Sequence, residues 1–195
     1  MSRTLVTGAT GFLGRHLIAQ LREGGNHVTA LCRGNAPELT ALGVEVKRGD
    51  VLDIASVRAA AEGCETLYHC AGLVSRRPED AEELYRVHVD GTKVTLDAAR
   101  AAGIKRVVLA STSGVVAVTK DPDEVRNEQA EAPMDLLARW PYYRSKLFAE
   151  KAGLDRSAPG FEVLAVNPTL LLGPGDDRGS STGDVAKFLE KKVPF

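Results

Sequence analysis

Apolar residues recur along the chain with two different periods, and the two periods alternate. Short apolar runs, typical of buried strands, lie at residues 5–6, 27–32, 44–47, 66–70, 106–110 and 161–166. Between these runs the apolar spacing is helical, as it is at Leu13, Leu17, Ile18 and Leu21. Strands that alternate with helices of about ten or more residues indicate βαβ units. The pattern therefore predicts an α/β fold with a doubly wound parallel sheet.

Residues that start and stop helices support this order of elements. The helices expected after the first one cover residues 54–62, 81–102, 141–155 and 184–192. Asp53 and Asp184 are placed to cap the first and the last of these helices. Gly103 ends the long second helix, and Pro141 stands where a helix begins, since its missing N–H costs nothing there. The charged, proline-containing segment 119–139 predicts a loop or a short irregular helix.

The turn between the first strand and the first helix carries glycines at positions 8, 11 and 14. Without side chains at these positions the turn can be tight, and a phosphate group can approach the backbone N–H groups. The N-terminus of the following helix points its positive end at the same place. The spacing G-x-x-G-x-x-G is one residue longer than the common G-x-G-x-x-G pattern. It predicts binding of a nucleotide pyrophosphate; the alternative is a glycine turn without a ligand.

Residues suited to ligand contacts follow the other strands as well. In doubly wound sheets, ligands bind beyond the carboxyl ends of the strands. Besides residues 8–14, the residues placed there are Arg33, Asp50, Ala71, Gly72, residues 111–113, Asn167 and Pro168. Because six strand ends contribute, a binding site at this edge is favoured more strongly than the glycine turn alone allows.

Tyr142 and Lys146 are four residues apart in a predicted helix, so they share one face of it. An ammonium group close to a phenol favours the phenolate and lowers its pKa from about 10. Such a tyrosine can donate or accept a proton near neutral pH. The pair therefore predicts acid–base chemistry; the alternative is an ordinary surface Tyr–Lys pair.

Composition narrows the function classes. The chain has 195 residues, 44% apolar and 26% charged, which is typical of one globular domain with a buried core. A net charge of −1 and an aromatic content of 5% do not indicate a nucleic-acid-binding protein. We expect neither a signal segment nor a membrane-spanning helix. The three cysteines lack CxxC spacing, so we expect a cytoplasmic protein whose thiols are reduced. The four histidines have no metal-ligand spacing, so no metal site is expected.

Several motifs together resemble those of a known family. The pattern T-G-x-x-G-x-x-G at residues 7–14, with the segments 50–51, 69–72 and 141–146, resembles a short-chain dehydrogenase/reductase. Further segments at 90–92, 106–108, 166–168 and 172–176 resemble its extended branch, the NAD-dependent epimerase/dehydratase group. Within this group the segments resemble those of dihydroflavonol-reductase-like members and hopanoid-associated sugar epimerases.

The resemblance implies a division of the chain into two parts. Residues 1–170 would form a dinucleotide-binding Rossmann domain, and residues 171–195 would begin a C-terminal substrate-binding lobe. Extended members continue this lobe beyond the length seen here, so the sequence resembles the cofactor half of a longer enzyme. Homodimerisation through the helices at 81–102 and 141–155 is expected on the same ground.

The resemblance also implies a cofactor site. The residues that would contact the cofactor are Gly8, Thr10, Gly11, Phe12, Leu13, Gly14, Asp50, Val51, Ala71, Gly72, Tyr142, Lys146 and Pro168. Residues 8–14 would line the pyrophosphate, residues 50–51 would contact the adenine, and Pro168 and its neighbours would meet the carboxamide. Residues 71–72 would pass along the ribose and phosphate region.

The implied catalytic residues are Thr112, Tyr142 and Lys146. Tyr142 would be the acid–base, and Lys146 would hold the nicotinamide ribose hydroxyls and lower the pKa of Tyr142. Thr112 would hydrogen-bond the substrate oxygen. The flanking Ser111 and Ser113 suit a simpler role, in which their hydroxyls satisfy a turn.

Two positions depart from the common pattern. NAD-binding members usually carry an acid at the end of the second strand, but here Cys32 and Arg33 occupy that place and no acid lies between Glu23 and Glu38. An arginine can accept a 2′-phosphate, so NADP is favoured over NAD. His88 stands where the family often has Asn; it either takes the same hydrogen-bonding role or is a packed, satisfied histidine.

These observations predict an NAD(P)-dependent oxidoreductase that transfers a hydride between a nicotinamide and a small carbonyl or hydroxyl substrate. One alternative is a nucleotide-sugar epimerase or dehydratase that uses the same transient oxidation. The alternative from another class is a non-catalytic NAD(P)-binding sensor or interaction module. The retained Tyr142, Lys146 and Thr112 favour an enzyme.

Overall fold

The chain folds around one parallel sheet, seen in a computed structural model that describes residues 2–177 and 179–192. The strands are β1 Arg3–Thr7, β2 His27–Cys32, β3 Glu45–Arg48, β4 Thr66–His69, β5 Arg106–Ala110 and β6 Glu162–Val166. Their order in the sheet is β3-β2-β1-β4-β5-β6, and each pair is parallel. This order confirms the predicted doubly wound sheet. The direction of winding reverses between β1 and β4, which is where such sheets bind ligands.

Helices connect the strands and cover the sheet. They are α1 Phe12–Glu23, α2 Pro37–Ala41, α3 Ile54–Ala61, α4 Ala81–Tyr85, α5 Gly91–Ala101, α6 Met134–Leu137, α7 Pro141–Leu154 and α8 Thr182–Leu189. As predicted, Asp53 caps α3: its Oδ1 accepts a hydrogen bond from the backbone N–H of Ala55 at 3.0 Å. In the described part of the chain, no helix combines the length and apolarity that a membrane crossing requires.

Two apolar layers hold the helices to the sheet. On one face, Leu5, Leu67 and Val107 pack against Val57 and Leu96 of the helices. On the other face, a second cluster joins β1 and β2 to α1 and α2, with Val6, Ala30, Ile18 and Leu39 at its centre. Adjacent residues of β1, β2 and β4 therefore enter opposite layers, as a sheet covered on both faces requires.

The helix expected over residues 81–102 is interrupted. A π-helical turn, Arg86–Asp90, separates α4 from α5, and His88 and Val89 within it are buried. Side-chain hydrogen bonds of His88 to Leu73 and Ser145 accompany this wide turn. Periodicity does not predict it because a single π turn adds only one residue to the apolar pattern.

The final helix begins earlier than predicted. Its N-cap is Ser181, whereas Asp184 lies inside the first turn and pairs with Arg76 at 2.7 Å instead of capping the helix. The helix also ends at Leu189, before the predicted end at residue 192. Residues 193–195 of the expected lobe segment lie outside the described residues.

Candidate active site

The glycine turn is shaped by close backbone contacts. Gly8 has φ +68°, and a Cβ placed there would lie 2.5 Å from the carbonyl carbon and oxygen of Cys70. A Cβ on Gly14 would lie 2.2 Å from the carbonyl oxygen of Gly8. Gly11 is the N-cap of α1, and it offers no side chain to the first N–H groups. Since the first turn also carries no acidic residue, these N–H groups are available to an anion.

A buried hydrogen-bond network ties the end of β4 to this turn. Thr7 Oγ1 lies 2.7 Å from His69 Nδ1 and accepts a hydrogen bond from the N–H of Ala71 at 3.4 Å. His69 Nε2 lies 3.3 Å from Thr92 Oγ1. Burial, with a smaller effect from the charge of Lys146, lowers the pKa of His69 to about 3. His69 is therefore a neutral structural residue that holds residues 71–72 beside the glycine turn.

Lys146 brings a buried amine to the carboxyl end of β5. Its side chain is nearly inaccessible, and Nζ donates a hydrogen bond to the carbonyl oxygen of Ala110 at 2.5 Å. Burial lowers its pKa from 10.5 to about 8, although the charges of Cys70 and Glu150 oppose this shift. The amine can therefore change its protonation state close to neutral pH.

Tyr142 is one helical turn before Lys146, and its ring is packed among other rings. The ring centroid lies 5.7 Å from that of His88 and 5.2 Å from that of Tyr143. Burial, followed by the charge of Tyr143, raises the pKa of Tyr142. The resemblance implied that Lys146 lowers this pKa, but in the structure the removal of the phenol from water raises it.

The turn role predicted for the hydroxyl of Ser111 is not seen in the described residues, and Thr112 has that role in the structure. Thr112 Oγ1 accepts a hydrogen bond from the N–H of Gly114 at 3.3 Å and caps the short 3₁₀ turn Ser113–Val115. Ser111 Oγ is buried and has no hydrogen-bond partner within the described residues. Thr112 therefore closes the turn, and Ser111 does not, because Ser111 continues the inward alternation of β5.

A side-chain link that the sequence did not predict fixes the end of β6. Asn167 Nδ2 donates to Glu150 Oε2 at 2.8 Å and lies 3.2 Å from the carbonyl oxygen of Thr112. The N–H of Ser113 donates to the carbonyl oxygen of Pro168 at 2.9 Å. These bonds place Pro168 beside the turn after β5. The only hint of this link in the neighbouring sequence is Glu150, an acidic residue four positions after Lys146.

The predicted adenine side is held by a turn. Asp50 Oδ1 accepts a hydrogen bond from the N–H of Leu52 at 2.9 Å, and Thr95 Oγ1 donates to the carbonyl oxygen of Val51 at 3.4 Å. Arg33 follows β2 directly and its side chain is exposed. Within residues 2–177 and 179–192, no group of three or more His, Cys, Asp or Glu side chains could hold a metal ion.

The sheet collects the predicted residues at one edge. The carboxyl ends of β1 to β6 lead, in that order, to residues 8–14, Arg33, Asp50, residues 71–72, Thr112 and Pro168. Helix α7 adds Tyr142 and Lys146. An open helix N-terminus, a buried amine, a phenol and a hydroxyl thus share the edge where doubly wound sheets bind nucleotides.

Comparison with known proteins agrees with this arrangement. Residues 4–193 match the NAD dependent epimerase/dehydratase family. The chain belongs to this family. The resemblance drawn from the motifs at 7–14, 50–51, 69–72 and 141–146 is thereby confirmed.

Three similar proteins illustrate the range of the family. Sterol demethylase protein B of Methylococcus capsulatus is 39% identical over 92% of this chain and 55% of its own length. A putative dihydroflavonol 4-reductase of Synechocystis is 34% identical over 97% of this chain and 55% of its own. The structure of MoeE5 in complex with UDP-glucose and NAD is 29% identical, with a TM-score of 0.70 over 89% of this chain and 56% of that one. The chain therefore spans about half the length of these relatives.

Proposed function

We propose that this chain is the dinucleotide-binding part of an NADP-preferring oxidoreductase that acts on a carbonyl or hydroxyl substrate. The observation that carries the proposal is the buried amine of Lys146, held at 2.5 Å from the carbonyl oxygen of Ala110. This bond holds the amine at Ala110, two residues before Thr112 in the sequence. Lys146 itself lies one helical turn after Tyr142. A buried lysine with a lowered pKa, at the sheet edge that also carries a phenol and a hydroxyl, is typical of an acid–base site.

The residues at the sheet edge fit a dinucleotide. The uncapped N-terminus of α1 suits a pyrophosphate, and the contact of Gly8 with Cys70 leaves no room for a side chain between the two loops. Asp50 and Val51 would contact the adenine, and Ala71 and Gly72 the ribose and phosphate region. Thr10, Phe12 and Leu13 would complete the pyrophosphate site together with the three glycines, and Pro168 would meet the carboxamide.

The catalytic roles follow from chemistry at the same edge. The bound nicotinamide would supply or accept the hydride. Tyr142 would protonate or deprotonate the substrate oxygen, and Thr112 would orient that oxygen through its hydroxyl. The amine of Lys146 would turn from the carbonyl oxygen of Ala110 toward the ribose hydroxyls and hold them. In that position it would also favour the phenolate of Tyr142.

Arg33 supports the preference for NADP. It follows β2 at the position where NAD-binding proteins usually carry an acid, and its exposed guanidinium can pair with a 2′-phosphate. Because NAD is bound in the MoeE5 structure, NAD is the alternative cofactor for this chain.

The second candidate function is that of a nucleotide-sugar epimerase or dehydratase. The similarity to MoeE5, whose structure contains UDP-glucose and NAD, favours it. Such an enzyme changes its product without net consumption of the cofactor, so consumption of NADPH with a ketone distinguishes the two functions.

Three further features belong to the proposal. Residues 1–170 form the dinucleotide-binding domain, and residues 171–195 begin a substrate-binding lobe. Helices α4, α5 and α7 form a homodimer contact. The location is cytoplasmic, in keeping with the three free cysteines.

Turnover and binding measured together test the proposed function. We expect NADPH to bind more tightly than NADH, and NADPH to be consumed with a member of a carbonyl panel. Tyr142→Phe should reduce turnover by about 10²- to 10⁴-fold while NADPH affinity changes far less, since the ring stays and only the hydroxyl is lost. If no carbonyl and no nucleotide sugar is converted although NADPH binds, the chain is a non-catalytic binding module.

A further inference from the structure

His88 is a buried histidine near the candidate site, and both of its ring nitrogens have hydrogen-bond partners. Its side chain is 2% exposed. The backbone N–H of Leu73 donates to His88 Nε2 at 3.0 Å, and His88 Nδ1 lies 2.8 Å from Ser145 Oγ. The hydroxyl of Ser145 in turn donates to the carbonyl oxygen of Tyr142 at 2.8 Å.

These partners fix the direction of each hydrogen bond. Nε2 accepts a backbone N–H, so it carries no proton, and the neutral ring must then carry its proton on Nδ1. Nδ1–H donates to Ser145 Oγ, which leaves the Ser145 proton for the carbonyl oxygen of Tyr142. The result is one continuous chain of donors from Leu73 through His88 and Ser145 to Tyr142.

The two ends of this chain lie on different parts of the proposed site. Leu73 directly follows residues 71–72, and a Cβ on Gly72 would lie only 3.2 Å from His88 Nε2. At the other end, Tyr142 occupies the first turn of α7, and its ring also contacts that of His88. The imidazole therefore joins the loop after β4 to the start of α7 in a place that backbone hydrogen bonds do not bridge in the described residues.

We propose that His88 is a positioning residue which, as the neutral Nδ1–H tautomer, locks the loop after β4 against the first turn of α7 and thereby sets dinucleotide affinity and the placement of Tyr142. This inference rests on the proposed function, because that function assigns residues 71–72, directly before Leu73, and Tyr142 to the cofactor site. It goes beyond the proposed function in giving His88 a specific tautomer and two separable contacts.

Substitutions can separate the two contacts. The amide of His88→Gln reaches about as far as Nε2 and can still accept the N–H of Leu73. The amide of His88→Asn reaches only about as far as Nδ1, so it can still donate to Ser145 but leaves Leu73 unpaired. His88→Leu removes both contacts and keeps an apolar side chain. Val89→Ala is the matched control, since Val89 is equally buried in the same π turn but makes no side-chain hydrogen bond.

The first test is fluorescence titration of these variants with NADPH, with thermal unfolding recorded in parallel. We expect His88→Leu and His88→Asn to bind about five- to tenfold more weakly, since each leaves the partly buried N–H of Leu73 without its acceptor, and His88→Gln to stay within about threefold of wild type. Val89→Ala should lose stability but keep its affinity. Equal affinity in all His88 variants that fold would overturn the proposal.

The second test uses the wild-type chain alone and stays decisive if a variant fails to fold. The ¹⁵N chemical shifts of the His88 ring should report the Nδ1–H tautomer, without titration between about pH 5 and about pH 8. An Nε2–H tautomer, or titration near the usual pKa, would overturn the proposal. If the wild type bound neither NADPH nor NADH, the proposed function would fail. The measured tautomer would still test the hydrogen-bonded connection from Leu73 through His88 to Ser145.

Discussion

The turn over residues 8–14 and the loop over residues 173–177 each contain a glycine with positive φ, but their surroundings differ. Gly8 has φ +68°, and a Cβ there would meet the backbone of Cys70 at 2.5 Å. Gly175 has φ +86°, and the nearest atom to a Cβ would be Arg15 Nη2 at 3.5 Å. Both glycines thus have the left-handed conformation, but a side chain at Gly8 would overlap backbone atoms, whereas one at Gly175 would find space.

The contrast extends to what holds each region in place. The glycine turn is tied to β4 through the buried Thr7–His69 hydrogen bond. The segment from residue 170 onward is tied to the rest of the chain by exposed contacts, among them the ion pairs of Arg15 with Asp177 and of Arg76 with Asp184 and the hydrogen bonds of Arg15 and His16 to the carbonyl oxygens of Gly175 and Pro174. It also leaves apolar side chains exposed, namely Leu170, Leu172 and Leu189. Substitutions should therefore be costly at the turn and cheap in the later segment.

The largest expected effect is that of Gly8→Ala on stability. The left-handed backbone costs an alanine about 1–2 kcal/mol, and the overlap with Cys70 adds about 1–3 kcal/mol. Gly175→Ala carries only the first of these costs. Urea unfolding of both variants checks the difference. Equal losses would show that the contact between the glycine turn and the end of β4 is not rigid.

Lys146→Met tests the buried amine through the pH dependence of stability. The pKa of Lys146 is lowered from 10.5 to about 8, so between these values the unfolded chain holds the proton more tightly than the folded chain. Deprotonation therefore favours the folded state as pH rises through this window. Relative to Lys146→Met, wild type should gain about 2 kcal/mol of unfolding free energy between about pH 7.5 and about pH 9.5. Lys151→Met, an exposed lysine on the same helix, is the control and should follow wild type; a parallel pH dependence of Lys146→Met would contradict the burial of the amine.

Arg33→Ser should weaken NADPH binding by about tenfold and leave NADH binding unchanged, because only NADPH presents a 2′-phosphate to the guanidinium. Isothermal titration with both cofactors measures the change. Arg100→Ser removes an arginine from the last turn of α5, at the opposite edge of the sheet, and should alter neither affinity. A clear preference of wild type for NADH would contradict the assignment of Arg33.

The smallest effect is expected for Asp177→Ala. Its ion pair with Arg15 has a distance of 2.7 Å, but both side chains are exposed, so the free energy of unfolding should change by less than about 0.5 kcal/mol. Thermal unfolding at low and high salt checks this expectation. A loss of unfolding free energy comparable to that of Gly8→Ala would contradict the proposed difference between the glycine turn and the segment from residue 170 onward.

The sequence predicted the sheet well because each strand is a local apolar run bounded by turn residues. The bounds of β2 His27–Cys32 and β5 Arg106–Ala110 agree with the prediction, and β3 is shifted by one residue, to Glu45–Arg48. The strand order follows from general rules for βαβ units. The site edge was predictable for the same reason, since it is simply the set of residues after each strand.

The parts that sequence did not predict depend on contacts between distant residues. The bond from Asn167 to Glu150 spans 17 positions, and that between His88 and Ser145 spans 57. The partition of roles between Ser111 and Thr112 depends on which hydroxyl faces the turn, a choice made by packing. The short helix α2 Pro37–Ala41 was also missed, because five residues give too little periodicity.

Hydrogen–deuterium exchange with and without NADPH tests the central claim most directly, namely that the edge around the glycine turn binds the dinucleotide. We expect saturable protection of residues 8–15, 71–73 and 142–146, and little change over residues 173–192. The absence of saturable binding, or protection confined to residues 173–192, would contradict the account.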